Sequence, residues 1–378
     1  MTDHRLTRRA LMLGAAGAGA GLASSCASDP SFTATPFVAL VMGNTYKENA
    51  RISDLNNTDN DMNAVVSSLR GASGSRALKL SNKFDTVRRA DNKNVFYFKE
   101  ELRLFGDAIE AANRAAEEKA ARLRNLPGRA DERPVYPTVF FYFAGHGFQF
   151  ENENFLVPDV KDGEEIQVFR SSELLAGLRE RAKAGIVYVL DACRDAPTSV
   201  FSEEQDAEIN SVYPDALQRP RQRAFDISEY EVVTSGGSLE DRRIPLNSER
   251  KGLAVMPTFR DTMIIYSTGP NQSASDSPCV AARRKKSGGS LGPFAQHFQA
   301  ELRIKQDIVS VLTRTIQAMK ADYNTCAAEY RDQFGGGPAP FDEQIPWTRG
   351  NLGYPAYLAG KPVVEIPNCQ IRPWACVD

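Results

Sequence analysis

Apolar residues gather in a few unbroken runs separated by polar and charged stretches, the pattern of strands covered on both faces alternating with helices. The run FVALVM, Phe37 to Met42, predicts a first buried strand, followed by a polar loop and a helix from Asp61 to Leu69. Lys99 to Leu123 is rich in Ala, Glu and Arg, a composition of high helix propensity, and it stops at a Pro/Gly loop from Leu126 to Pro137. A second apolar run, TVFFYFAG, predicts another strand, Ser172 to Ala182 a helix, and Ile186 to Leu190 a further strand. Strand, helical crossover and strand within about 50 residues set the two strands in parallel, so their carboxyl ends share one edge of a sheet.

Thr198 to about Arg250 is dominated by Ser, Glu, Arg, Asn and Pro, which predicts a long polar insertion. Regular structure resumes with a strand over Thr262 to Thr268 and helices over Phe294 to Leu302 and Ile308 to Met319. Beyond Gln333 the chain is Gly/Pro/aromatic-rich and is expected to be irregular. No internal repeat or second boundary appears. The pattern predicts an α/β fold in one domain, 36–352, carrying the 198–250 insertion and followed by a 353–378 tail.

With 378 residues, 42% of them hydrophobic, the chain is long enough for a substantial core and is not a disordered polymer. A net charge of −2 leaves no basic footprint, and the one dense basic run, Arg283 to Lys286, lies in a Ser/Gly-rich stretch. A nucleic-acid partner is therefore not expected.

The N-terminus has the composition of an export signal. Thr7-Arg8-Arg9-Ala10-Leu11-Met12 sets a twin arginine before a Gly/Ala-rich apolar segment from Leu13 to Ala23, with no acid between Asp3 and Asp29. That segment is too short for a stable membrane span. Residues 1–27 are thus expected to engage the twin-arginine translocase and to be removed near Ala27, giving a periplasmic or cell-envelope product. The alternative is a lipid anchor at Cys26, although Leu22 lies one position early for the usual lipidation motif. Five cysteines remain beyond the signal: Cys193, Cys279, Cys326, Cys369 and Cys376. In an oxidising compartment an odd number leaves one thiol unpaired, a candidate for reactivity.

Two strand ends carry the chemistry. His146 stands between Gly145 and Gly147 at the end of the run TVFFYFAG, and Cys193 follows IVYVLDA. The only other histidines are His4, in the signal, and His297, in a helical stretch where a structural role is ordinary. The flanking glycines would let the backbone turn sharply at His146. An imidazole there would hold the proton of the Cys193 thiol, favour the nucleophilic thiolate and return the proton to a leaving amine. The backbone N–H groups of Gly147 and Cys193 would form the oxyanion hole.

The segments YFAGHGFQFENENFLVPDV, VYVLDACRDAP, MIIYSTGPNQSASD and QIPWTRGNL resemble, in order and spacing, the caspase-like peptidases of family C14, specifically the bacterial metacaspase or orthocaspase branch. Asp191-Ala192-Cys193-Arg194-Asp195 matches the caspase nucleophile segment, 47 positions after His146. The resemblance implies a three-layer fold with a mostly parallel central sheet flanked by helices, and a Cys193/His146 dyad. It also implies cleavage after Arg or Lys, because Asp191 stands where caspases have Gln, and Asp61 matches a second acid of the metacaspase pocket. Two carboxylates can bind a guanidinium through paired hydrogen bonds. On its own, Asp61 also reads as an acid in the first turn of a helix.

Calcium-dependent metacaspases carry an Asp pair where this chain reads Arg170-Ser171-Ser172-Glu173, with Glu153 as a remnant acid, so no metal and no cofactor are expected. The rivals to a peptidase with basic P1 are a catalytically silent binding or scaffold module and a peptidase using Arg51 to read an acidic P1 residue. Arg221, Arg223, Arg242, Arg243, Arg250 and Lys251 make the insertion a candidate for self-processing.

Overall fold

The computed structural model describes residues 36–48, 52, 54–70, 86–91, 95–150, 153–161, 163–164, 166–192, 229–233, 239–243, 260–268, 291–304, 307–334, 344–353, 356 and 358. In chain order these form β1 (Phe37–Gly43), α1 (Thr58–Leu69), β2 (Thr86–Asp91), α2 (Val95–Arg124), β3 (Thr138–Gly145), β4 (Gly147–Phe150), β5 (Glu153–Leu156) and β6 (Gln167–Arg170). Then follow α3 (Ser171–Arg181), β7 (Ile186–Ala192), β8 (Glu229–Val233), β9 (Leu239–Arg243), β10 (Thr262–Tyr266), α4 (Pro293–Leu302), α5 (Ile308–Phe334) and β11 (Trp347–Asn351). Among the described residues no helix is long and apolar enough to cross a membrane.

A six-stranded sheet in the order β11-β10-β7-β3-β1-β2 forms the centre. Its strands pair in parallel except β10 with β11. Every residue of β1 and β3 is buried, as continuous apolar runs require when helices cover both faces. On one face Val38, Leu40, Met42, Phe141, Phe143, Tyr188 and Leu190 meet α2 and α3. Alternate residues Ala39, Val41, Phe140, Tyr142, Val187 and Val189 point to the other face and meet α1, α4 and α5. The fold is α/β, with a mostly parallel central sheet between two helical layers.

Several elements extend the pattern read from sequence. α2 begins one turn before Lys99 because Phe98 continues the buried stripe of Phe105, Ile109, Ala112, Ala116 and Ala120 and stacks on Phe169 at 4.4 Å between ring centroids. α5 runs past Met319 and carries buried Cys326 and Tyr330. Cys326 is disulfide-bonded; none of the other cysteines is among the described residues. The C-terminal stretch expected to be irregular contains β11, and beyond Leu352 the buried Ala356 and Leu358 join the same core.

A second sheet, β4-β5-β6-β8-β9, grows from the loop after β3. Its outer hairpin, β8 with β9, lies inside the polar insertion, which is therefore not uniformly loop. β8 is added to β6 in parallel, with Val168 opposite Val232.

Candidate active site

The sheet reverses its direction of growth between β1 and β3, since the chain moves outward from β1 to β2 and then crosses back to β3 and β7. Such switch points open a crevice beyond the carboxyl ends of the strands. His146 follows β3 directly at that edge and is 5% exposed. β3 and β7 pair in parallel as far as Ala144 with Asp191 and Gly145 with Ala192. Those last paired positions are the residues immediately before His146 and Cys193; Cys193 itself lies outside the described residues.

The His146 backbone is held on both sides. Its N–H donates to the hydroxyl of Tyr46 at 2.8 Å, and its carbonyl accepts the N–H of Val157 at 3.0 Å. The Tyr46 ring lies 4.6 Å from the imidazole, tilted by 47°. Neither Gly145 nor Gly147 has a positive φ, so the turn does not need glycine for its dihedrals. Gly145 serves instead to leave room: a Cβ there would fall 2.7 Å from the Tyr46 hydroxyl and 2.8 Å from the Phe143 ring. Sequence reasoning missed Tyr46, because a lone tyrosine in a polar loop has no periodicity.

Asp191 bonds, and the charge of Asp61 acts on, the same side chain, Tyr142, on the α1 face of the sheet. Tyr142 donates its hydroxyl to Asp191 Oδ2 at 2.8 Å. Burial first, and then the negative charges of Asp191 and Asp61, hold that hydroxyl well above the ordinary tyrosine range, so it remains a donor. Tyr142 falls beside Asp191 because residues 140, 142 and 144 of β3 share a face with 187, 189 and 191 of β7. Asp61 is 4% exposed and accepts the Gly292 N–H at 2.8 Å, which ties the first turn of α1 to the start of α4. It thus has a structural partner as well as a charge that acts on Tyr142.

A small cavity with room for about one water borders Gly147, Ala192, Asn154 and Tyr266. The Asn154 Nδ2 is buried there without a hydrogen-bond partner. Glu153 accepts from Ser172 at 2.7 Å, and Glu173 pairs with Arg170 at 2.5 Å, so the acids weighed for calcium are engaged with neighbouring side chains. Among the described residues no group of three or more His, Cys, Asp or Glu could hold a metal ion. His297 bonds Asp322 at 2.8 Å between α4 and α5, a structural pairing away from β3. Cys26, Arg51 and the N-terminal signal lie outside the described residues.

Comparison with known structures gives caspase-1 from Spodoptera frugiperda at 12% identity and a TM-score of 0.41, covering 88% of this chain and 92% of that one. Its precursor, pro-Sf-caspase-1, gives 12% identity and a TM-score of 0.45 over 87% and 93%. A search of curated protein sequences gave no match. The model of the caspase domain, peptidase family C14, matches residues 37–355, from the first core strand to beyond the last. The chain belongs to the caspase-domain family of peptidases.

Proposed function

We propose that this protein is an exported cysteine endopeptidase of the metacaspase branch, which cleaves after Arg or Lys with a Cys193/His146 dyad. The observation that carries the reading is the parallel register of β3 and β7, which ends on the residues just before His146 and Cys193. Nucleophile and base must lie within hydrogen-bond reach, and two adjacent parallel strands ending in step are an economical way to bring them together. In this reading the Cys193 thiolate attacks the scissile carbonyl while the N–H groups of Gly147 and Cys193 receive the developing oxyanion. The imidazole of His146 then protonates the leaving amine, and water hydrolyses the acyl-enzyme.

The preference for a basic P1 residue draws on Asp191 and Asp61, whose charges both act on Tyr142. A guanidinium or ammonium entering beside two carboxylates would pair with both and offset the cost of holding the buried Asp61 charge away from water. The twin-arginine segment Thr7 to Met12 supports export to the periplasm or cell envelope.

Purified protein offered matched fluorogenic peptides ending in Arg, Lys and Asp should cleave the first two. Cys193→Ala should abolish that cleavage, a loss of about a thousandfold or more, and should also abolish labelling by an arginyl electrophile while the fold is kept. Equal labelling of wild type and variant would remove Cys193 from the mechanism. Cleavage after Asp alone would reverse the P1 assignment.

A further inference from the structure

We propose that Tyr46 is a positioning residue for His146, fixing the imidazole through the backbone and through ring contact; the proposal rests on the reading of His146 as the acid–base group. Tyr46 lies three residues beyond the end of β1, on the opposite side of the switch-point crevice from the strand that carries the histidine. It is completely buried and has a φ of 58°, in the left-handed region that side chains other than glycine rarely occupy. A strained conformation persists only where its surroundings over-determine it, and such residues cluster at functional sites.

The hydroxyl does two things at once. It donates to the Val157 carbonyl at 2.6 Å and accepts the His146 N–H at 2.8 Å. Asn44 Nδ2 reaches the same Val157 carbonyl at 3.3 Å, and the Val157 N–H returns to the His146 carbonyl. The ends of β1 and β3 and the residue following β5 are therefore closed into one hydrogen-bonded ring that has His146 as a member. His146 falls between β3 and β4, where a strand ladder no longer supplies its partners, and the phenol stands in for one. Through the tilted ring contact the same residue limits where the imidazole can lie. The bare α-carbon of Gly145 is what admits the hydroxyl to this position.

Catalysis by a positioned acid–base group is sensitive to displacements of about an ångström, which cost about a hundredfold in rate. Tyr46→Phe keeps the ring and deletes both hydrogen bonds. Its kcat on an arginyl peptide, normalised to sites titrated with an arginyl electrophile, should fall about 10- to 100-fold with KM within about threefold. A merely structural tyrosine would lower the titratable fraction and leave the rate per site alone. A rate per site within twofold of wild type overturns the proposal.

A second readout does not depend on activity. The chain has three histidines, so selective labelling with His146→Gln as reference assigns the His146 imidazole resonance. That resonance should move, and its titration midpoint should shift, in Tyr46→Phe; an unmoved resonance overturns the proposal even if the wild-type protein cleaves no peptide and the peptidase reading itself fails. Should Tyr46→Phe not fold, the wild-type protein decides. Its His146 amide should exchange slowly and its ring protons should show Overhauser contacts to Tyr46, and absence of both is the negative result.

Discussion

Polar side chains behave differently at the carboxyl end of β3 and along the outer flank of α2 and α3. At the strand end Tyr142 with Asp191, and Tyr46 with His146 and Val157, bond in or at the edge of the core. On the flank, Arg181 pairs with Glu110 at 2.6 Å while their side chains stay 39% and 46% exposed, and Lys183 pairs with Glu117 beside Tyr136. The Lys183 partner lowers the Glu117 carboxyl, and Glu117 raises the Lys183 ammonium, chiefly through their hydrogen bond. Solvent and salt screen such pairs, whereas a buried donor that loses its acceptor has no water to turn to. Similar distances thus carry unequal consequences, and the unequal member lies at the candidate site.

The largest break in that comparison should come from Asp191→Ala. It removes the charge proposed to bind the P1 cation and strands the buried Tyr142 hydroxyl, so kcat/KM for an arginyl peptide should fall by about 10- to 1000-fold, with a smaller effect on Tm. An unchanged Arg preference would place the specificity determinant elsewhere.

Asp61→Asn sharpens the comparison within the buried set. The amide oxygen still accepts the Gly292 N–H, so Tm should hold, while loss of charge should lower kcat/KM for Arg substrates several-fold, less than Asp191→Ala does. Retention of both Tm and kcat/KM would reduce Asp61 to its structural bond between α1 and α4.

The smallest effect belongs to the flank. Lys183→Met should leave peptide cleavage unchanged and move Tm little at neutral pH. Its sign is set by linkage: the lowered Glu117 carboxyl contributes stability above its unfolded pKa and loses it as pH falls through the folded value. Any difference between wild type and variant should therefore fade in acid and in high salt. A large Tm loss that persisted in molar salt would contradict the screened picture.

The strands with apolar residues on both faces were legible in the sequence, because β1, β3, β7 and β10 are central or nearly so and their composition follows from burial. β2 and β11 lie at the two edges of that sheet, and their sequences, TVRRAD and WTRGN, lack the apolar run that signals a covered strand. The β8–β9 hairpin hid for a related reason: EYEVV and LEDRR mix charge with apolar residues inside a polar insertion. At the site, His146 and Asp191 could be placed on strand ends from spacing alone. Tyr46 could not, since its role depends on a left-handed backbone and on three chain segments converging. Tyr142 was visible as a core residue, but its bond to Asp191 depends on the register of β3 against β7.

The order of strands also bears on stoichiometry. β10 is the immediate neighbour of β7, yet 69 residues, the whole polar insertion among them, separate Ala192 from Thr262. One scission within 193–261 would leave the β7–β10 ladder intact, with Val187, Val189, Met263, Ile265, Phe294 and Phe298 still in one core. Arg242 and Arg243, held in β9 against β8, would have to leave their ladder to be cut; Arg221, Arg223, Arg250 and Lys251 lie outside the described residues. The two polypeptides so produced would travel as a single one-to-one particle in gel filtration and part only in detergent. A former interior would have become a subunit interface, with the proposed dyad on the first polypeptide and the strand that flanks β7 on the second.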